Sequence, residues 1–178
     1  MSRRTAVAIV TAVIAMVTGL VTPVAQAAGA YCGIVWGSLA KSGPGVAAPV
    51  GPITNIRAGQ HDCYDRLVID VKGSSGPFKV EYVAAVPYQA KDGTIPLRGG
   101  AFLQVSLQTL SEGMYVPKNN AEVVNVGGYR TLRQVAWDSF EGYTTVAIGV
   151  RARLPFRAFT LVGPGSGSRL VIDVAHLW

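Results

Sequence analysis

The hexapeptide Arg66-Leu67-Val68-Ile69-Asp70-Val71 occurs a second time, letter for letter, as Arg169-Leu170-Val171-Ile172-Asp173-Val174. Both copies are dominated by β-branched residues and Leu, which favour a pleated, half-buried strand. In a strand, alternate side chains face opposite sides. Leu67, Ile69 and Val71 then face a core, and Arg66, Val68 and Asp70 face outward, with the second copy matching them. Arg66 and Asp70 lie four residues apart, about 13 Å along an extended chain, so they do not pair within one strand. Each needs a cross-strand partner or a ligand. Two readings stay open for Arg66, Asp70, Arg169 and Asp173. One is a set of cross-strand ion pairs on a solvated face, which contribute little. The other is a pair of matching polar surfaces for a repeating polymer.

Six further runs read as strands from their Val, Ile, Thr, Tyr and Phe content: Thr54–Arg57, Phe78–Ala85, Phe102–Leu107, Leu132–Ala136, Thr144–Val150 and Arg157–Leu161. Turn residues separate the strands: Gly73 to Pro77, Asp92-Gly93, Glu141-Gly142 and Gly163 to Ser168. No long stretch keeps a helical period. Between Tyr115 and Arg133, the residues Pro117, Gly127 and Gly128 leave room for one short helical turn at most. About eight short strands at this spacing predict an all-β fold, an antiparallel β-sandwich with two similar halves. The segment Lys41 to Pro52 alternates Gly and Pro with small residues and reads as a linker.

Residues 1–27 have the pattern of a secretory signal. Arg3 and Arg4 form a basic start, Thr5 to Val21 carries no charge, and Ala25-Gln26-Ala27 is a cleavage site. The expected organisation is a signal peptide at 1–27, an N-terminal segment and linker at 28–52, and a β-sandwich domain at 53–178. Cleavage leaves no membrane span and a secreted or envelope-located chain. It removes two arginines, and the formal charge falls from +6 to +4. A mild, diffuse positive charge favours anionic surfaces such as wall polymers. It does not argue for nucleic acid. Cys32 and Cys63 are the only cysteines. In an oxidising compartment a disulfide is the default, worth roughly 3–4 kcal/mol in the chain-entropy model. It would tether the short piece from Tyr31 to Leu39. A metal pair or a reactive thiol is the alternative.

Catalytic chemistry finds little footing. The two histidines, His61 and His176, come without a HExxH pattern, and there is no GxSxG elbow. The carboxylate pairs Asp62/Asp65 and Asp138/Glu141 lie in expected turns, where acids are ordinary. No catalytic residue, metal ligand or cofactor is assigned. The basic run Arg151, Arg153 and Arg157 surrounds Leu154-Pro155-Phe156. Arg151 and Arg153 are expected to share a strand face. That run is either a solvated hairpin or a patch for an anionic polymer, because guanidinium groups grip carboxylate and phosphate in bidentate fashion.

The run Ile53-Thr54-Asn55-Ile56-Arg57-Ala58-Gly59-Gln60-His61-Asp62 leads into Tyr64-Asp65-Arg66-Leu67-Val68-Ile69-Asp70. Near the end come Leu154-Pro155-Phe156-Arg157-Ala158-Phe159-Thr160-Leu161 and Arg169 to His176. Together they resemble the AMIN-like domain of secreted actinobacterial proteins, over roughly Pro52 to the C-terminus. Trp36-Gly37-Ser38-Leu39 fits the same group. AMIN domains proper are β-sandwiches on cell-wall amidases and secretin pores. The resemblance implies a non-catalytic module that contacts peptidoglycan or another anionic wall polymer through outer strand faces. Arg66, Asp70, Arg169 and Asp173 become candidate contacts, with Arg151 and Arg153 beside them. No amidase domain accompanies the module here. An extracellular protein-interaction or structural domain without glycan binding is the alternative.

Overall fold

The computed structural model describes residues 31–178; the signal-peptide reading lies outside them. Nine strands form two antiparallel sheets: β1 (Lys41–Gly43), β2 (Ile53–Gln60), β3 (Tyr64–Val71), β4 (Phe78–Val83), β5 (Ala101–Gln108), β6 (Leu132–Phe140), β7 (Tyr143–Val150), β8 (Phe156–Val162) and β9 (Ser168–Ala175). The five-stranded sheet has the order β1-β4-β5-β7-β6, and the four-stranded sheet the order β2-β3-β9-β8. The result is the all-β sandwich that the sequence predicts. Each of the eight predicted strands overlaps an observed one. No helical turn forms between Tyr115 and Arg133, where backbone bonds instead join Tyr115 to Ile53 and Val123 to Val135.

The two hexapeptides are β3 and β9, and they pair with each other at the centre of one sheet. Their register is self-complementary: Arg66 lies opposite Asp173, Val68 opposite Val171, and Asp70 opposite Arg169. The repeated strands therefore make one composite face and not two separate ones. Leu67, Ile69 and Val71 point inward with Leu170, Ile172 and Val174, all buried in the main core. Val80, Leu103, Val105, Ile148 and Val135 meet them from the other sheet. Truncating one such Leu or Ile to Ala costs about 2–5 kcal/mol in cores of this kind.

The predicted linker is part of the domain. Its first residues are β1, which pairs with β4 from Lys41↔Val80 to Gly43↔Phe78. Farther on, the Ser74 N–H donates to Pro49 O (2.8 Å) and the Gly51 N–H donates to Ser74 O (3.0 Å). A Cβ on Gly51 would sit 1.4 Å from the Lys72 carbonyl oxygen, so no other residue fits there. The Gly/Pro composition hid this docking, because close backbone approach and flexibility select the same residues. The β6–β7 hairpin turns on Glu141-Gly142, both at positive φ (48° and 81°), as a two-residue primed turn demands.

A second core covers part of the outer face of the five-stranded sheet. Val86 and Ile95, from the segment between β4 and β5, pack on Ala136 and Ala147. The sheets are also joined by a buried carboxylate. Asp65 ends the inward row of β3, and its Oδ2 accepts the N–H groups of Thr131 (2.5 Å) and Leu132 (3.0 Å), where β6 begins. Its Oδ1 lies 3.1 Å from His176 Nε2, just beyond β9. Asp65 is therefore an inter-sheet anchor.

Replacing Asp65 with Ala strands two buried N–H groups and one buried imidazole. Leaving such partners unpaired costs about 3–5 kcal/mol. Urea denaturation of Asp65→Ala against wild type measures it, and a loss below about 1 kcal/mol means that the anchor contributes nothing specific.

Candidate ligand-binding face

The outer face of the four-stranded sheet is built in three rows. Pairing registers align Gly59, Arg66, Asp173 and Arg157 in the first, Arg57, Val68, Val171 and Phe159 in the second, and Asn55, Asp70, Arg169 and Leu161 in the third. Four arginines thus share the face with two aspartates. The central valines are buried although they point outward, at 5% and 1% exposure. Long arginine stems and Phe159 beside them account for this, since such stems lie along apolar surface while their heads stay in water.

Asp173 organises the first row. It is fully buried and accepts three N–H bonds: Arg66 Nε (2.6 Å), Arg66 Nη2 (2.9 Å) and Arg157 Nε (2.7 Å). The bond to Asp173 pushes the Arg66 guanidinium further up its already high range, and burial partly opposes this. Arg66 also reaches the Tyr64 hydroxyl at 3.2 Å. In the third row the symmetry of the repeat breaks. Asp70 is taken by Arg57 through a bidentate pair (2.9 and 3.1 Å), not by Arg169. Arg169 instead donates to the carbonyls of Gly163 (3.0 Å) and Val162 (3.2 Å). Arg66, Asp70, Arg169 and Asp173 are thus all engaged within the protein.

The N-terminal segment reaches this face as a strap. Cys32 is bonded to Cys63, with Cα atoms 6.4 Å apart. The strap is fixed again where Phe156 N donates to Gly37 O at 2.9 Å. Between these anchors Trp36 lies against Tyr64, with ring centroids 5.8 Å apart. His61 stacks on Tyr64 from another side at 4.5 Å.

Arg151 and Arg153 do not share a strand face. They lie in the loop between β7 and β8, because β7 ends at Val150. Arg151 Nη2 donates to the His176 carbonyl (2.8 Å), and Arg153 lies over the Tyr82 ring (4.7 Å). Of the acidic pairs, Asp138 accepts the Gln89 N–H (2.6 Å), Glu141 sits in the hairpin turn, Asp65 is buried and Asp62 is exposed. Neither pair faces a common space as a glycosidase needs.

One residue that the sequence placed only in the basic run proves central. Arg157 faces Asp173 from β8, and only the β8–β9 register reveals that position. The alternation Arg157-x-Phe159 puts both on the outer face. The pairing of Trp36 with this face had no sequence signal beyond the neighbouring Cys32.

The family model of the AMIN-like domain matches residues 51–176, so this chain belongs to the AMIN-like domain family. The matched span starts inside the docked linker and takes in β2 to β9 together with the outer face. No curated protein matches the chain.

The loop beside the face is held by Tyr82, whose hydroxyl donates to Leu154 O (2.7 Å) and accepts from Leu154 N (3.0 Å). Burial pushes the Tyr82 hydroxyl up to about 12. A folded value above the unfolded one gives stability that is complete below about pH 10 and lost as pH rises toward 12. Wild type is expected to lose Tm more steeply than Tyr82→Phe between pH 10 and 12, as followed by circular dichroism. Parallel curves over that range rule out the linkage.

Proposed function

We propose that this protein is a non-catalytic, extracellular cell-envelope module that holds a peptidoglycan-type or other anionic wall polymer against its four-stranded sheet. What supports the reading is family membership together with one observation: a single sheet face carries four arginines, two aspartates and a rim of aromatic rings. The opposite sheet's outer face is covered in part by the segment between β4 and β5, and Lys79 on it is paired with Glu81. Wall polymers are anionic and repeat, and weak contacts to repeated units add through avidity. The Cys32–Cys63 disulfide is in keeping with an oxidising compartment outside the cytoplasm. Arg66, Asp70, Arg169 and Asp173 are proposed to act as a shaped electrostatic surface rather than as free individual ligands, because each already has a partner. Arg151 and Arg153 are proposed as a secondary rim.

A protein-interaction role is the second reading. It is favoured by Val35, Leu39, Leu177 and Trp178, apolar side chains that are 53–87% exposed on the strap and the C-terminus.

Purified peptidoglycan sacculi provide the test. The mature protein is expected to co-sediment with them, less so as salt increases. An Arg66→Ala/Arg169→Ala variant is expected to lose at least tenfold in affinity, while Arg151→Ala/Arg153→Ala loses less. Circular dichroism checks that both are folded. Absence of wild-type pelleting at physiological salt would sink the wall reading and promote the protein-interaction one.

A further inference from the structure

The first row of the outer face holds two guanidinium groups and one carboxylate. Asp173 takes three of their N–H bonds and leaves one positive charge uncompensated locally. That excess resides on Arg157. Its Nε is bonded to Asp173, but neither Nη has a hydrogen-bond partner among the described residues. Its side chain is 31% exposed, so the group is accessible without being free in solution.

The surroundings of Arg157 are unusual for an idle surface arginine. Its Cζ lies 5.0 Å from the Phe159 ring centroid, 5.5 Å from Tyr64 and 5.6 Å from Trp36. Three rings from β8, β3 and the strap thus lie close to this cation, and two of them, Tyr64 and Phe159, also lie beside Arg66. They displace water from its flanks and lower the local dielectric, which strengthens any charge pairing at the remaining open side. The Asp173 bond fixes the guanidinium in place, so little side-chain entropy is left to lose on binding. By contrast, Arg57 is neutralised by Asp70, and Arg169 is held by two carbonyls.

We propose that Arg157, held by Asp173 and walled by Trp36, Tyr64 and Phe159, is an oxyanion-binding site for a carboxylate or phosphate group carried by the polymer. This rests on the binding reading above but assigns the anchoring chemistry. Both oxyanions match the two free Nη groups in bidentate fashion. A neutral sugar hydroxyl leaves the charge uncompensated, so the rings serve the cation first and the sugar second. Arg66 adds long-range attraction, since its own fork is spent on Asp173.

Nuclear magnetic resonance of the oxidised mature protein tests this directly. Sodium acetate, inorganic phosphate, N-acetylmuramic acid and neutral N-acetylglucosamine are the probes, with sodium chloride at equal ionic strength as the reference. Acetate or phosphate is expected to give saturable shifts of the Arg157 Nε–H and the Trp36 indole N–H. N-acetylglucosamine and chloride are expected to give none. Arg157→Gln abolishes the response, Arg157→Lys weakens it at least tenfold by losing the fork, and Lys118→Gln, at an exposed position away from this face, leaves it unchanged. Trp36→Ala, which leaves the Asp173 pairs intact, weakens it and guards against misfolding of the Arg157 variants. Stronger binding of acetate than of phosphate points to a carboxylate-bearing polymer, and the reverse order to a phosphate-bearing polymer. No saturable shift with any anion, or an unchanged response in Arg157→Gln, overturns the proposal. Pelleting on sacculi that is identical for wild type and Arg157→Gln overturns it while the wall reading stands. Anion binding at Arg157 without pelleting overturns the wall reading alone.

Discussion

The pairing of β3 with β9 is the interaction on which the rest of the molecule depends. It brings together segments more than one hundred residues apart and gives both faces of the sheet their character at once. On the inner side its Leu, Ile and Val residues supply six buried side chains to the main core. On the outer side it sets Arg66 against Asp173. Two carboxylates, Asp65 and Asp173, stand near the same end of this ladder on opposite faces, and both are fully buried. One ties the sheets together through backbone N–H groups; the other gathers arginines. A buried carboxylate is costly unless its oxygens are well supplied with donors. Each of these two has three contacts from N–H or imidazole nitrogen. The same demand therefore secures the fold inside and assembles the charged face outside.

The repeat explains why such a face arises economically. An Arg-x-x-x-Asp strand paired antiparallel with its own copy places Arg opposite Asp at both ends, whatever the intervening residues. At one end the structure uses that pairing. At the other it does not, because Arg57 on the edge strand β2 captures Asp70, and the Gly163–Ser168 turn offers carbonyls to Arg169. The first row gathers two arginines on one acid, and the second and third rows together also hold two, Arg57 and Arg169, against Asp70. Each end of the face therefore carries one positive charge in excess, and Arg169 differs from Arg157 in donating its Nε and Nη2 bonds to backbone carbonyls.

Much of the architecture was legible in the sequence because β-branched runs and turn residues are local signals. The eight expected strands and the Glu141-Gly142 turn are of this kind, and the Cys32–Cys63 bond followed from there being two cysteines and no more. β1 was not legible, since Lys-Ser-Gly has no strand character and forms only because β4 offers it an edge. The site was legible by residue type but not by pairing. Arg66 and Asp173 could be named, yet no local pattern says which of the four outer arginines meets which acid. That depends on register between distant strands. Arg151 and Arg153 failed for a related reason: β7 stops at Val150, and alternation loses its meaning where a strand ends.

The strap sharpens the argument from pairing to function. Trp36 lies four residues from Cys32 and next to Gly37, and both neighbours are anchored, one covalently and one by a backbone bond to Phe156. A tryptophan held at both sides has little freedom left, so its ring is in place before any ligand arrives. A ligand that uses it then avoids the ordering cost that a loose segment imposes. Trp36 also donates its indole N–H to Tyr31 O (2.9 Å), which holds the ring within the strap. The main core lies on the other face of the sheet, and the valines beneath are already covered by arginine stems and Phe159. The arrangement is preorganised, and the disulfide supplies in advance the order that the proposed recognition of an anionic polymer would use.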